Sequence, residues 1–245
     1  MSILHLYLSP HHDDVCFSIG HIARQQGGEL VNLFTQSDYV EVAIPLPVER
    51  QERIEAVSRI RREEDVRYCR TCGLTRHDLC LSEPSLFGLD PFDLRDIENE
   101  IAPLSERLIP FLEERFYKSD GPGATALYCP MGIGGHRNHL STLMTIRKHY
   151  DLIRQYCTIW LYEDLHYASD PAAREAGILR ATAVFEGIRL NSFLTRLSPA
   201  AVDRKLGDAR IYHSQHRQPP EAARYTPASN AAPEVHEAIW KVEIP

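Results

Sequence analysis

Two histidine-rich clusters hold the residues best suited to chemistry. The first reads Ser9-Pro10-His11-His12-Asp13-Asp14; the second reads Gly132-Ile133-Gly134-Gly135-His136-Arg137-Asn138-His139. Neighbouring side chains point in different directions, so one of the paired carboxylates can hold a metal while the other faces a bound water. His136 and His139 are three apart and share a side once a helix has begun. Two imidazoles and a carboxylate are a common zinc set that leaves one position open for a water, which the metal acidifies towards neutral pH. The structural alternative is capping: Asp13 or Asp14 at the start of one helix, His136 or His139 at the start of another. Two such clusters, each at a strand end, favour chemistry over capping.

The elements that position these clusters follow from hydrophobic runs and breakers. Short apolar runs predict strands at 3–9, 30–35, 78–81, 126–130, 158–162 and 238–244. Helices are expected over 16–26, 48–72, 97–116, from about 139, and over 199–215, with a surface excursion at 219–233. Strands alternating with helices predict an α/β fold: one domain, residues 1–245, with a mostly parallel sheet and helices on both faces. In such sheets function gathers where strands end at their carboxyl side, here after Ser9, Thr35, Leu81, Pro130 and Tyr162.

Composition narrows the partners. The 245 residues carry 27 basic and 34 acidic side chains, a formal charge of −7. A chain without basic excess is not expected to bind nucleic acid or an anionic membrane, since both need a positive face. No apolar run is long enough to cross a bilayer, and the amino-terminal residues lack a secretory pattern, so a cytoplasmic protein is expected. The six cysteines read as buried free thiols. The Cys69, Cys72, His77 and Cys80 spacing is too short at its end for a zinc knuckle and is set aside.

The two clusters together resemble the LmbE-like, or PIG-L, family of metal-dependent N-deacetylases. His11-His12-Asp13-Asp14 matches the family's His-x-Asp-Asp, and Gly135-His136-Arg137-Asn138-His139 nearly matches its Gly-His-x-Asp-His. The resemblance extends to Arg61 and Glu64, to Tyr162-Glu163-Asp164, and to Tyr212-x-Ser214-Gln215, in order over most of the chain. It implies a Rossmann-like fold. It also implies that His11, Asp14 and His139 are metal ligands, for Zn2+ or, since the same donors suit it, Fe2+. Asp13 would be the general base, and His136 would stabilise the oxyanion and share in proton delivery to the amine. Arg61 would lie on the substrate side with Glu64 as its orienting partner. Glu163 and Asp164 would bind substrate; by position alone they could equally cap and close their loop.

The implied reaction is removal of an N-acyl group, most often acetyl, from an amino-sugar-containing or glycosylated small molecule such as an N-acetylglucosamine conjugate. The alternatives are an amidase for a non-sugar or long-acyl natural product, and a non-catalytic family member. The resemblance leaves a homo-oligomer open. Two residues depart from the pattern: Val15, where Glu often follows the first motif, and Asn138, where Asp is usual. The family Asp is expected to keep the histidine two residues before it cationic. With an amide there, His136 is expected to work as a neutral donor, or Glu163 or Asp164 to replace the charge.

Overall fold

The computed structural model describes residues 3–119, 121, 123–215, 220–228 and 234–243. Seven strands form one sheet in the order β3-β2-β1-β4-β5-β7-β6. They are β1 (Leu4–Ser9), β2 (Gly28–Gln36), β3 (Leu74–Ser82), β4 (Thr125–Pro130), β5 (Cys157–Tyr162), β6 (Arg189–Arg196) and β7 (His236–Glu243). The helices are α1 (Asp14–Gln26), α2 (Arg50–Cys72), α3 (Glu98–Lys118), α4 (Arg137–Lys148), the single turn α5 (Tyr150–Ile153), α6 (Pro171–Val184) and α7 (Pro199–Ala209). The first five strands run parallel, while β7 joins β5 and β6 antiparallel. The expected α/β architecture is therefore observed, with an antiparallel edge added.

Strand β1 lies inside the sheet between β2 and β4 and is apolar towards both faces, as a strand covered on both sides must be. Leu6 and Leu8 join the core shared with Leu104, Leu108 and Leu112 of α3 and Leu140 and Leu143 of α4. Tyr7 points the other way, into the core shared with α1, Tyr68 of α2 and Tyr212. Helix α2 stops at Gly73, whose φ of 71° suits a left-handed cap.

The crossovers set the site. After β3 the chain passes through α3 and returns to β4, which pairs with β1 rather than with β3. The strand order reverses between β1 and β4, so the loops leaving those two strands flank one crevice.

Several expectations need correction. The third strand is longer than 78–81 because it pairs with β2 from Leu74 onward. The helix expected over 199–215 ends at Ala209, followed by a separate 3-10 turn at His213–Gln215. Tyr212 and Ser214 turn inward there, donating to Asp65 and Glu64. Helix α6 and strand β6 were not foreseen. Helix α6 buries only Gly177 and Ala181, and β6 is a half-exposed edge, so neither writes a hydrophobic period into the sequence. Of the expected excursion at 219–233, residues 219 and 229–233 lie outside the described residues, as does 244 of the last strand. Five cysteines are buried and unpaired as expected, but Cys80 is exposed. No helix among the described residues is long and apolar enough to cross a membrane.

Candidate metal centre

The loop after β1 folds back on itself. The backbone N–H of His11 donates to Asp14 Oδ2 at 2.7 Å, and Ser9 Oγ donates to the His11 carbonyl at 2.5 Å. Asp14 opens α1, while Asp13 at the N-cap position makes no capping bond. The capping alternative thus fails for Asp13, whose carboxylate is left facing the crevice. His136 does cap α4, accepting from the backbone N–H of Asn138 through Nδ1 at 3.2 Å.

Asp14 bridges the two other predicted ligands. Its Oδ2 lies 3.3 Å from His11 Nδ1 and its Oδ1 3.3 Å from His139 Nε2. The far side of each ring fixes its proton. Asp164 Oδ1 can only accept, so His139 Nδ1 donates to it at 2.7 Å and Nε2 is left bare. Asn138 Oδ1 likewise can only accept, so His11 donates from Nε2 at 2.9 Å and its Nδ1 is left bare. Two bare nitrogens and a carboxylate turned towards one point call for a cation. Donors about 2.1 Å from one tetrahedral ion sit about 3.4 Å apart, close to the spacings found. The residues present therefore fit a divalent metal. Nitrogens of His11, His136 and His139 also gather within 4.8 Å, so His136 stands at the edge of the same centre.

The electrostatics agree. Burial disfavours charge on His139, yet Asp14 and Asp164 raise its pKa to about 10. Burial likewise opposes charge on His11, but Asp14 raises its pKa. In the metal-free protein this negative field favours a second proton on the nitrogens facing Asp14; a metal ion would displace it, leave those nitrogens bare to ligate, and neutralise the field. His136 is held the opposite way: burial, then the neighbouring His11 and His139, depress its pKa well below the usual value. It is neutral, with Nδ1 accepting and Nε2–H free to donate. Asp13 is pushed up by burial and by Asp14, and pulled back by Arg61.

These groups line a cavity of about 890 Å³, in the range of small-molecule sites. Its walls include Asp13, Arg61, Glu83, Phe92, His136 and Tyr167. Gly134 has a φ of +88°, and a Cβ there would come within 2.3 Å of the Tyr167 ring, so the glycine lets the loop pass beneath that wall.

Several predicted roles move. Glu64 is not Arg61's partner; it receives Ser214 N–H and Oγ–H and faces His213. Arg61 instead donates to Glu83 Oε1 at 2.6 Å and Ser37 Oγ at 3.0 Å, and its Nη2 lies 3.5 Å from Asp13. Glu163 and Asp164 are absent from the cavity wall because both are buried and engaged elsewhere. Glu163 receives Arg174 and Trp240, tying α6 and β7 to the end of β5. Asp164 holds His139 and the Ile133 N–H. The Asn138 side chain reaches His11, not His136, and the carboxylate beyond it is Glu100, not Glu163 or Asp164. His12 is buried and off the wall. Sequence reasoning missed Glu83 and Glu100. Glu83 follows β3, one of the strand ends expected to carry function; nothing in the sequence marked Glu100.

No protein-family model matches the chain. It is 32% identical over 143 residues to 2'-N-acetylparomamine deacetylase of Streptomyces fradiae, a stretch making up 55% of this chain and 48% of that protein. The match thus spans about half the length of that relative. The solved antimicrobial reagent A40926 pseudoaglycone deacetylase superposes with a TM-score of 0.64 at 21% identity, covering 99% of this chain and 98% of that one. The chain shares the fold of that deacetylase. The zinc-inhibited form of teicoplanin deacetylase superposes with a TM-score of 0.65 at 17% identity, covering 97% of each chain. Over nearly its whole length the chain thus follows those two folds.

Proposed function

We propose that this chain is a metal-dependent N-deacetylase that frees an amine on an amino-sugar-containing small molecule. The observation that carries the reading is Asp14 set between the bare nitrogens of His11 and His139, with Asp13 beside it on the cavity wall. Similarity to 2'-N-acetylparomamine deacetylase supports an N-acetyl amino sugar as the substrate class.

His11, Asp14 and His139 would hold the ion. Bound there, a divalent metal lowers the pKa of water and polarises the acyl carbonyl. Asp13, aimed by Arg61, takes the proton of the water that adds to the acyl carbon. It then returns a proton to nitrogen as the C–N bond breaks, giving acetate and a free amine. His136, neutral, donates Nε2–H to the acyl oxygen as charge builds there. Phe92, edge-on to His136 with ring centroids 5.6 Å apart, helps exclude solvent. Zinc or ferrous iron suits these donors, and the inhibition by zinc of one structural relative makes ferrous iron a metal to assay first.

The rim adds to the substrate class. Phe92 lines the cavity half-exposed beside the polar groups of the site, in a stretch after β3 that also exposes Phe87, Leu89 and Leu94. This combination fits a glycoside whose sugar reaches the floor while an apolar portion rests on the rim. The test is acetate release from 2'-N-acetylparomamine and from N-acetylglucosamine conjugates with and without an apolar aglycone, using protein loaded with iron or zinc. Asp13→Asn should keep its metal and lose turnover. Full activity in that variant would overturn the mechanism. Metal binding without turnover on any amide would favour a non-catalytic role.

A further inference from the structure

One hydrogen-bonded chain at the metal centre lies outside the mechanism above. Glu100, in the first turn of α3, accepts from Asn138 Nδ2 at 2.9 Å, from Ser141 Oγ at 2.5 Å and from Arg137 Nε at 3.0 Å. With three donors converging on it, this carboxylate is the acceptor in each of these contacts. It therefore dictates which way the Asn138 amide lies: NH2 towards Glu100, oxygen towards His11. The oxygen then dictates the His11 tautomer, Nε2–H, because it can only accept. The tautomer in turn leaves the Nδ1 lone pair facing Asp14. His139 reaches the same state directly through Asp164. Both imidazoles are thus oriented by a carboxylate, one in direct contact and one through an intervening amide.

We propose that Glu100 is a positioning residue which, through Asn138, fixes the tautomer of His11 and supplies the carboxylate that an aspartate at position 138 would otherwise provide. The proposal rests on the reading of His11 as a metal ligand. It accounts for the amide at 138: an aspartate there would set two carboxylates 2.9 Å apart in a poorly solvated place, where both cannot stay ionised. Glu100 also ties α3 to α4 through Arg137, so a purely structural role has to be separated from a role in metal binding.

The test is a charge swap on the full chain. Zn2+ is titrated in competition with a chromophoric chelator, and Tm is recorded for the metal-free proteins. Glu100→Gln should weaken Zn2+ binding about tenfold or more. Asn138→Asp should lower Tm, because it creates the opposed carboxylates. The double variant Glu100→Gln/Asn138→Asp, which exchanges acid and amide, should bring Zn2+ affinity back to within about threefold of the parent and restore Tm. If Glu100→Gln lowers Tm but leaves Zn2+ affinity unchanged, the residue is only a tie between helices and the proposal fails. It fails equally if the double variant binds Zn2+ no better than Glu100→Gln. If Glu100→Gln is too unstable to load, the double variant decides alone: parental affinity supports the relay and a tenfold loss overturns it. A parent protein that binds no Zn2+ refutes the metal reading itself, and that result is distinct from a failure of the relay.

Discussion

Removing the Arg61 guanidinium while keeping its apolar volume, as in Arg61→Met, tests how Asp13 is held. The side chain is 4% exposed, and it faces Glu83, 9% exposed, at 2.6 Å and Asp13, 13% exposed, at 3.5 Å. Deleting one partner of a buried ion pair costs about 3–5 kcal/mol, because the remaining charge keeps its desolvation penalty and loses its counter-ion. Here two carboxylates are stranded, and among the described residues only the Ser37 Oγ side chain remains to donate to Glu83. At about 2–4 °C per kcal/mol for a chain of this size, Tm should fall by about 6–20 °C. Arg61→Lys should fall less in Tm but still lose turnover, since a single ammonium cannot meet Glu83, Ser37 and Asp13 together. Arg61→Met/Glu83→Gln should recover part of the lost stability by removing one stranded charge, without recovering activity. The assay is thermal unfolding of the four proteins beside their deacetylation rates. An Arg61→Met protein that melts within about 1–2 °C of the parent, or a double variant no more stable than the single one, would show that Arg61 is not the counter-ion these carboxylates depend on.

Other perturbations probe separate parts of the framework. Asp164→Asn cannot accept from both His139 Nδ1 and Ile133 N–H as the carboxylate does, so metal affinity should drop about 10–100-fold; unchanged affinity would remove Asp164 from the centre. Gly134→Ala places a methyl group against Tyr167 at a φ of +88° and should cost roughly 1–3 kcal/mol, read as a lower Tm with a raised KM. An alanine variant with parental values would contradict the close approach. Burial, offset in part by Arg76, raises the Asp65 carboxyl from its ordinary 3.8 to about 6. Its folded pKa lies above the unfolded value, so its contribution to stability is complete below about pH 4 and is lost as pH rises through 6. The Tm difference between the parent and Asp65→Asn should therefore move against the parent from pH 5 to pH 7; a difference that is flat or moves the other way would show that Asp65 is ionised throughout.

The sequence alone determined the parts whose chemistry is local. Apolar runs bounded by Gly and Pro marked β1, β2, β4 and β5, because a strand covered on both faces must be apolar throughout. The histidines and aspartates following Ser9 and Pro130 announced themselves by residue type. What a side chain touches across the fold was not local. The family resemblance implied that Glu64 orients Arg61, yet α2 packs so that Arg61 meets Glu83 after β3 while Glu64 meets Ser214. Glu163 and Asp164 looked like substrate contacts because they end a strand; packing turned one to Arg174 and the other to His139. The edge elements α6 and β6 bury too little to leave a period. The tertiary structure alone placed β4 beside β1, since strand order is set by how the crossovers pack on the two faces of the sheet. That adjacency brings His11, Asp14 and His139 to one point, and it lets Glu100, 38 residues before Asn138, reach the centre through an amide.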